Sequence, residues 1–308
     1  MTTITAVIVT HNRVDKLRHA VNAAMHESFD KIIVVDNASN DGTANYLAQI
    51  SDDRLQVITL PTNTGGAGGF HHGVTATANA DWLVLFDDDA HPTPGSIDLF
   101  RALTENLETN IGAIAARVDL PDGTPCEMNK PLINPFWGMS KRAWAALRHG
   151  RKGFTVDNAQ EIDAATFVGF FLNGQVARSM GPPEADLFLY SDDILYSLSM
   201  RRAGWHIRYE PDIRFYHDCE TLRSGGAYRP LWKNYYTIRN GTFVAKMAAG
   251  YLAPVAMIYL LMIWTRRGMS LNGVERRQYF QIFRKAIIDG IRGKRGPISS
   301  GCRNSANQ

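Results

Sequence analysis

Cysteine is scarce in this chain, with Cys126, Cys219 and Cys302 widely scattered among 308 residues. They show neither a pairing pattern nor a zinc spacing, which excludes a disulfide framework and favours a reduced cytosolic compartment. The N-terminus has no basic segment and no cleavage site, so it is predicted to be a strand rather than a signal peptide. The net charge of +3 is small and indicates no class of partner by itself. A hydrophobic content of 45% predicts a globular protein with a sizeable core.

Two common nucleotide-binding patterns are also missing. The glycine-rich stretch 61–69 contains no Gly-Lys-Ser/Thr, and the segment 10–13 after the first predicted strand contains no glycine. The chain therefore has neither a Walker loop nor the Rossmann fingerprint. The glycine-rich stretch still joins a strand to a helix, where glycines let backbone amides approach an anion. A nucleotide site built on other loops remains, with a flexible connector as the alternative.

The first half of the chain alternates short apolar runs with helical periods. Continuous apolar strands between helices predict an α/β fold whose mainly parallel sheet is covered by helices on both faces. The predicted strands are 4–10, 31–36, 54–60 and 82–86, and the predicted helices are 15–26, 41–50, 69–80 and 96–106. Ligands of such sheets bind outside the carboxyl ends of the strands, and all four of these strands end in polar loops.

The most informative loop follows the fourth strand, where an apolar run ends in Asp87, Asp88 and Asp89. Adjacent carboxylates on a rigid strand suit a hard divalent cation, which usually also binds a substrate's phosphates. A solvated loop with an aspartate helix cap is the alternative. The polar loops that converge with this triplet favour a metal–diphosphate site.

A second pair of carboxylates, Asp192 and Asp193, begins a predicted helix in the second half of the chain. One of them could simply cap that helix, with Ser191 as another candidate cap. Two adjacent carboxylates after an aromatic run instead suggest a site, in which one would act as a general base. His217 follows the strand-like segment 207–215, and its neutral imidazole would complete a carboxylate-rich metal site.

These segments together resemble an inverting glycosyltransferase of family 2, with the GT-A fold. The matching segments follow the family's order: Val-Thr-His-Asn-Arg (9–13), Val-Val-Asp-Asn-Ala-Ser-Asn-Asp-Gly-Thr (34–43), Asn-Thr-Gly-Gly-Ala-Gly-Gly-Phe (63–70), Phe-Asp-Asp-Asp-Ala-His-Pro (86–92), Tyr-Ser-Asp-Asp-Ile-Leu-Tyr-Ser-Leu (190–198), Arg-Ala-Gly-Trp (202–205) and His217. The glycine-rich stretch and Tyr-Tyr-Thr-Ile-Arg-Asn (235–240) resemble the branch with galactofuranosyltransferases and rhamnosyltransferases. Relatives often carry Glu-Asp-x-Asp, whereas residues 192–195 lack the last carboxylate.

The resemblance implies a role for each site residue. Asp193 would be the general base, with Asp192 as the alternative, and Asp87, Asp89 and His217 would hold Mn²⁺ or Mg²⁺. Asp36 would bind the nucleobase, expected to be uracil. The other residues expected at the donor are Thr10, Asn12, Arg13, Asn37, Asn63, Gly65, Gly66 and Asp88.

The function that the resemblance implies is the metal-dependent transfer of galactofuranose from UDP-galactofuranose. The acceptor would be a glycan or a polyprenyl-linked glycan in bacterial cell-surface polysaccharide synthesis. A rhamnosyltransferase that uses dTDP-rhamnose is the main alternative. A nucleotidyltransferase would usually carry a glycine-rich basic loop after the first strand, which is missing here. A non-catalytic nucleotide-sugar-binding module is disfavoured because the carboxylates and His217 are present.

The C-terminal part of the chain has a different composition. We expect a GT-A catalytic domain over 1–222 and a helical, basic region over 223–308. Residues 247–264 are uncharged and largely apolar, and at 18 residues they fall at the lower limit for a membrane span. Residues 265–308 carry ten Lys and Arg against Glu275 and Asp289, with aromatic and isoleucine side chains interleaved.

This pattern predicts an interfacial helix on the anionic inner face of the cell membrane, and thus a cytoplasmic, peripheral enzyme. Helices that only pack the fold, or an interface between copies of the chain, are the alternative. No motif supports binding to nucleic acid.

Overall fold

The computed structural model describes residues 2–77, 79–134, 136, 157–219 and 226–298. Cys302, Arg303 and the predicted domain boundary at 222/223 lie outside these residues. The first half follows the predicted alternation closely. Its elements are β1 (Ile4–Thr10), α1 (Val14–Met25), β2 (Lys31–Asp36), α2 (Thr43–Leu47), β3 (Leu55–Thr59), α3 (Gly65–Ala76) and β4 (Trp82–Asp87).

The second half adds further strands and then helices alone. Its elements are β5 (Ala90–Pro92), α4 (Ser96–Thr104), β6 (Ile111–Asp119), β7 (Gln160–Ile162), β8 (Phe170–Asn173), α5 (Gly174–Met180), α6 (Asp192–Arg202), β9 (His206–His217), α7 (Lys233–Ala249), α8 (Ala253–Met269) and α9 (Gly273–Ile291). Short 3₁₀ turns lie at Glu127–Asn129, Ala185–Leu187 and Gly250–Leu252.

Within the described residues, the strands form a single sheet in the order β3-β2-β1-β4-β8-β6-β9-β5, and β7 pairs with β9. β1 to β4 are parallel, whereas β8 runs antiparallel to β4 and β6. β1 lies inside the parallel part, and all seven of its residues are buried. Ile4 and Ile8 pack in the core cluster that includes α1 and α4, and Val7 and Val9 pack in the cluster that includes α3. The predicted α/β fold, with helices on both faces of the sheet, is confirmed.

The glycine-rich stretch differs from the prediction. A helix was expected from residue 69, but α3 already begins at Gly65, so four of the glycines are helical. The side chains of Val9 and Val7 occupy the space that a Cβ would need at Gly69 and Gly73. Glycine therefore lets α3 pack directly against β1, and this close packing overrides glycine's low helix propensity.

The C-terminal helices α7, α8 and α9 pack around a shared apolar cluster that includes Trp264 and Tyr279. The Tyr279 hydroxyl donates a hydrogen bond to the Trp264 carbonyl at 2.8 Å. Phe188, which precedes α6, belongs to the same cluster. The C-terminal helices therefore pack against the segment that precedes Asp192 and Asp193. The proposed two-domain division remains a prediction.

By length and composition, the described residues contain one helical stretch able to cross a membrane, Lys233–Met269. Of its apolar window, 17% is buried within the protein. Such a stretch alone does not establish a span, since the core helix of a soluble protein can have the same composition.

Candidate active site

The aspartate triplet lies where β4 ends, beside the end of β1. Asp88 is 3% exposed and accepts a hydrogen bond from the Thr10 hydroxyl at 2.8 Å. The Arg13 guanidinium donates to Asp88 Oδ1 at 2.9 Å and to Asp89 Oδ2 at 2.8 Å. Four of the predicted site residues thus form one connected group across two neighbouring parallel strands.

His217 joins this group from the end of β9. The β5–β9 pairing places it opposite Ala90, and the Asp218 amide donates to the Asp89 carbonyl at 2.9 Å. His217 Nε2 lies 3.2 Å from Asp89 Oδ1, and its Nδ1 lies 2.7 Å from Asn129 Oδ1. Asn129 therefore orients the imidazole ring. Sequence reasoning missed Asn129, because nothing in its local pattern marks it.

Burial dominates the electrostatics of the triplet. It raises the pKa of Asp87 to about 8, with the charge of Asp89 adding to the shift. It also raises the pKa of Asp88 to about 6, although Arg13 opposes this. Burial opposes charge on His217 too, but the hydrogen bond that His217 donates to Asp89 outweighs it and raises the His217 pKa to about 10. Three buried carboxyl groups thus share the positive charges of Arg13 and His217.

These oxygen and nitrogen ligand atoms suit a hard divalent cation. Two ligands of an octahedral ion with bonds of about 2.1 Å lie about 3.0 Å apart, close to the 3.2 Å between Asp89 Oδ1 and His217 Nε2. The raised pKa of Asp87 shows that its charge lacks compensation, which a cation would supply. Asp89 and His217 therefore have the spacing of two ligands of one ion, and the full set with Asp87 stays a prediction.

The loop after β2 is joined to the start of α3. Asn37 is 2% exposed, and its amide donates to the Gly65 carbonyl at 2.8 Å. Its side-chain oxygen accepts from the Thr64 amide at 2.8 Å. Asn63, which is exposed, accepts from the Gly65 amide through its side chain, and Gly66 has open space where a Cβ would stand. Asn37 and Asn63 thus shape the loop through hydrogen bonds to its backbone.

The loops after β1 and β2 are also joined. Asn12 has a φ of 54°, and its side-chain oxygen accepts from the Asn40 amide at 2.7 Å. The Ser39 hydroxyl accepts from the Asn12 amide at 3.0 Å. Asp36 is 1% exposed, pairs in register with Thr10 and accepts from the Ser39 amide at 2.9 Å. The structure therefore brings the residues predicted for donor binding to one edge of the sheet.

A strained turn leads into the predicted base. Phe188, Tyr190 and Ser191 have φ values of 67°, 65° and 66°, in a region that non-glycine residues rarely adopt. Below, residues 187–191 are called the base loop. Asp192 opens α6 immediately afterwards, and Asp193 Oδ1 accepts from the Ile194 amide at 2.7 Å. Asp192 is therefore the first helical residue rather than a side-chain cap.

The two carboxyl groups differ electrostatically. Burial raises the pKa of Asp192 well above its usual range, and the charges of Asp193 and Asp87 add to the shift. Burial also raises the pKa of Asp193, to about 6. A pKa of about 6 leaves Asp193 mostly ionised at neutral pH.

Two buried residues of α7 hold the base loop. Asn240 is fully buried, and its amide donates to the carbonyls of Leu187, Leu189 and Tyr190 at 3.2, 2.9 and 2.8 Å. Arg239, also fully buried, donates to the Leu187 carbonyl at 2.8 Å and to Asn240 Oδ1 at 2.8 Å. Because these bonds satisfy carbonyls that are buried at Leu187 and partly buried at Leu189 and Tyr190, they stabilise the loop's strained backbone.

The base loop also contacts the donor side of the site. The Ala67 amide donates to the Phe188 carbonyl at 3.2 Å. Gly65, with a φ of 74°, lies so close to the Phe188 backbone that no Cβ would fit there. The base loop therefore lies between the start of α3 and α7. In the sequence, residues 235–240 are marked only by their resemblance, which implies no role for Arg239 or Asn240.

Residues 5–144 match the sequence model of the family described as glycosyl transferase family 2. The chain is 27% identical over 225 residues to galactofuranosyltransferase GlfT1 of Mycolicibacterium smegmatis, which covers 71% of this chain and 72% of that protein. It is 23% identical over 302 residues to dTDP-rhamnosyl transferase RfbF of Shigella flexneri, which covers 95% of this chain and 97% of that protein.

Solved structures show the same fold. TarS of S. aureus, residues 1–349 in complex with UDP-GlcNAc, superposes with a TM-score of 0.59 at 14% identity and covers 94% of this chain and 81% of that one. GalNAc-T7 with UDP, GalNAc and Mn²⁺ superposes with a TM-score of 0.56 at 14% identity, over 79% of this chain and 51% of that one. At these identities, the likeness establishes the fold alone.

Proposed function

The chain belongs to the family 2 glycosyltransferases, and we propose that it transfers a sugar from a nucleotide-diphosphate donor with inversion at the anomeric carbon. The observation that carries this proposal is the connected group of Thr10, Arg13, Asp88, Asp89 and His217 at the carboxyl ends of the strands. The likeness to glycosyltransferases argues against the nucleotidyltransferase and non-catalytic alternatives.

Asp193 is the general base of this proposal. It removes the proton from the acceptor hydroxyl as the oxygen attacks the anomeric carbon, while the donor's diphosphate leaves from the opposite face. A base works best when its pKa lies near the operating pH, and the pKa of Asp193 is raised to about 6 by burial. Asp192 is the weaker candidate, since burial and the charge of Asp193 raise its pKa well above the usual range and disfavour its ionised form.

Asp87, Asp89 and His217 are proposed to hold a divalent ion, Mn²⁺ or Mg²⁺. When bound, the ion neutralises charge that develops on the departing diphosphate. The geometry of Asp89 and His217 supports this assignment, as does the presence of Mn²⁺ in the GalNAc-T7 structure. Arg13 binds Asp88 and Asp89 through ion pairs, and its side chain, which is 37% exposed, is proposed to contact the donor's diphosphate as well.

The donor is proposed to be UDP-galactofuranose, with dTDP-rhamnose as the second candidate. GlfT1 supports the first sugar, and RfbF, which aligns over nearly the whole chain, supports the second. The UDP bound in the TarS and GalNAc-T7 structures favours uracil as the nucleobase of the donor. The proposed nucleotide pocket is lined by Asn12, Asp36, Asn37, Asn63, Gly65 and Gly66.

The acceptor is proposed to be a glycan, or a polyprenyl-linked glycan at the inner face of the cell membrane. One face of the helical stretch 251–269 leaves a row of apolar side chains uncovered. They recur at helical spacing and are between 54% and 92% exposed: Tyr251, Val255, Ile258, Tyr259, Met262 and Met269. Below, they are called the apolar face.

An anionic bilayer is the proposed occupant of the apolar face. Arg266 borders the same groove as Ile258 and Met262, and further basic residues follow on α9. Apolar insertion and attraction to anionic lipid would act together there. The enzyme would thus be peripheral and cytoplasmic.

The decisive experiment measures nucleotide release and product formation with a panel of nucleotide sugars, with and without Mn²⁺. We expect one sugar nucleotide to support metal-dependent transfer, and the inverted product to be identified by nuclear magnetic resonance. The D193N variant is the matched control, since it should bind the same donor but release little nucleotide. Metal-independent turnover, or a product of retained configuration, would contradict the proposal.

A further inference from the structure

Two cysteines that lie 93 residues apart in the sequence meet beside the predicted metal ligand. Cys126 is 1% exposed, and its amide donates to the Val118 carbonyl of β6 at 2.9 Å. Cys219 follows His217 by two residues, just beyond β9, and is partly exposed. The two Sγ atoms are 3.8 Å apart. One ring nitrogen of His217 lies within 4.8 Å of both.

We propose that Cys126, Cys219 and His217 form a binding site for a soft divalent metal ion, Zn²⁺ in particular. Two thiolates bound at about 2.3 Å to a tetrahedral zinc ion lie about 3.8 Å apart. The observed sulfur separation matches this value, so the pair needs little movement to bind. The imidazole is the third ligand, and the partial exposure of Cys219 allows water to be the fourth.

The chemistry of this site differs from that of the aspartate triplet. Thiolates select Zn²⁺ over Mn²⁺ and Mg²⁺, which prefer oxygen ligands. Binding releases the thiol protons to solvent, since the thiolate is the ligand. Both nitrogens of His217 already have partners, Asp89 and Asn129, so a zinc ion at the thiols takes the imidazole from one of them.

One consequence rests on the proposed function. Because His217 belongs to both ligand sets, zinc at the thiols disrupts the hard-metal site. Zn²⁺ should therefore inhibit Mn²⁺-dependent transfer, and removing either thiol should relieve that inhibition. The binding itself does not depend on which reaction the enzyme catalyses.

The test uses the full chain, stripped of metal and kept reduced with a phosphine. Titration with Co²⁺ should produce a thiolate-to-cobalt charge-transfer band that Zn²⁺ abolishes. The C126S and C219S variants should lose affinity for the ion by more than about 100-fold, because changing even the outer partners of a metal ligand costs about 10- to 100-fold. C302S is the matched control and should bind like the parent.

The outcomes separate this site from the proposed function. A charge-transfer band that survives unchanged in C126S and C219S, or its absence from the parent chain, would overturn the site. Equal inhibition by Zn²⁺ in the parent, C302S and both other variants would overturn the consequence for transfer. A band without any sugar transfer would leave the site standing and contradict the proposed function instead. Circular dichroism of each variant checks that it is folded.

Discussion

Replacing Asn240 with alanine should separate catalysis from stability. The Asn240 amide lies within 2.8 to 3.2 Å of three carbonyls in the base loop. Arg239 still donates to the Leu187 carbonyl, whereas the variant removes the Asn240 donor from the partly buried carbonyls of Leu189 and Tyr190. Each such group costs about 1–3 kcal/mol, so we expect a loss of about 2–4 kcal/mol in the free energy of unfolding.

The loss in rate should exceed what stability explains. Three base-loop residues have positive φ values, and without Asn240 this backbone should relax and move Asp193. A misplacement of about 1 Å can cost about 100-fold in rate, so we expect kcat to fall by about 10- to 100-fold. Donor affinity should fall less than kcat, because Asn240 acts on the start of α3 indirectly, through Phe188 of the base loop.

Asn234 provides the matched control on the same helix. It is 2% exposed, and its amide donates to the carbonyls of Tyr228 and Leu231 at 2.9 Å each. N234A should therefore destabilise the protein to a similar degree but largely preserve kcat. Urea unfolding, donor affinity by calorimetry and initial rates at saturating donor and metal would be measured for both variants. An equal loss of kcat in the two would refute the positioning role.

Three further predictions concern the metal, the base and the membrane. D89A should lose metal-dependent donor binding in calorimetry, and near-normal turnover at saturating donor and metal would contradict its assignment. D193N should keep donor binding and lose about 10²- to 10⁴-fold in kcat. In the parent, kcat/KM should fall about tenfold per pH unit below about pH 6, because protonated Asp193 cannot accept a proton. If D193N is active and shows the same pH profile as the parent, Asp193 is not the base. The double variant I258Q/M262Q should sediment less with anionic vesicles than the parent does. The control L99Q changes a leucine of α4 that is 53% exposed and should sediment like the parent. If the parent does not bind such vesicles at low salt, the membrane proposal is wrong.

The sheet could be predicted from the sequence because its strands are short apolar runs. β1 and β2 begin and end where the pattern predicted, since a buried parallel strand needs apolar residues on both faces. The triplet at 87–89 and His217 could be singled out because carboxylates and imidazole carry recognisable metal chemistry. The antiparallel direction of β8 could not be predicted, since strand direction depends on the chain's return path rather than on local pattern.

Long-range contacts account for the rest of the site. Asn240 lies 50 residues or more from the carbonyls it binds, and Cys126 lies 93 from Cys219. Neither pairing has a local pattern. The helical start of α3 was missed for a different reason. Glycine disfavours helices by propensity, and only the packing of α3 against β1 shows why it is tolerated here.

The hydrogen bonds from α7 to the base loop limit how far the chain can be truncated from its C-terminus without loss of activity. The sequence match to the family ends at residue 144, and the sheet ends with β9 at His217. A chain cut after β9 keeps every proposed donor and metal residue but loses Arg239 and Asn240. Its base loop would have to keep its positive φ values without these partners. The smallest catalytically competent unit is therefore expected to extend through α7, beyond the last proposed donor or metal residue at His217.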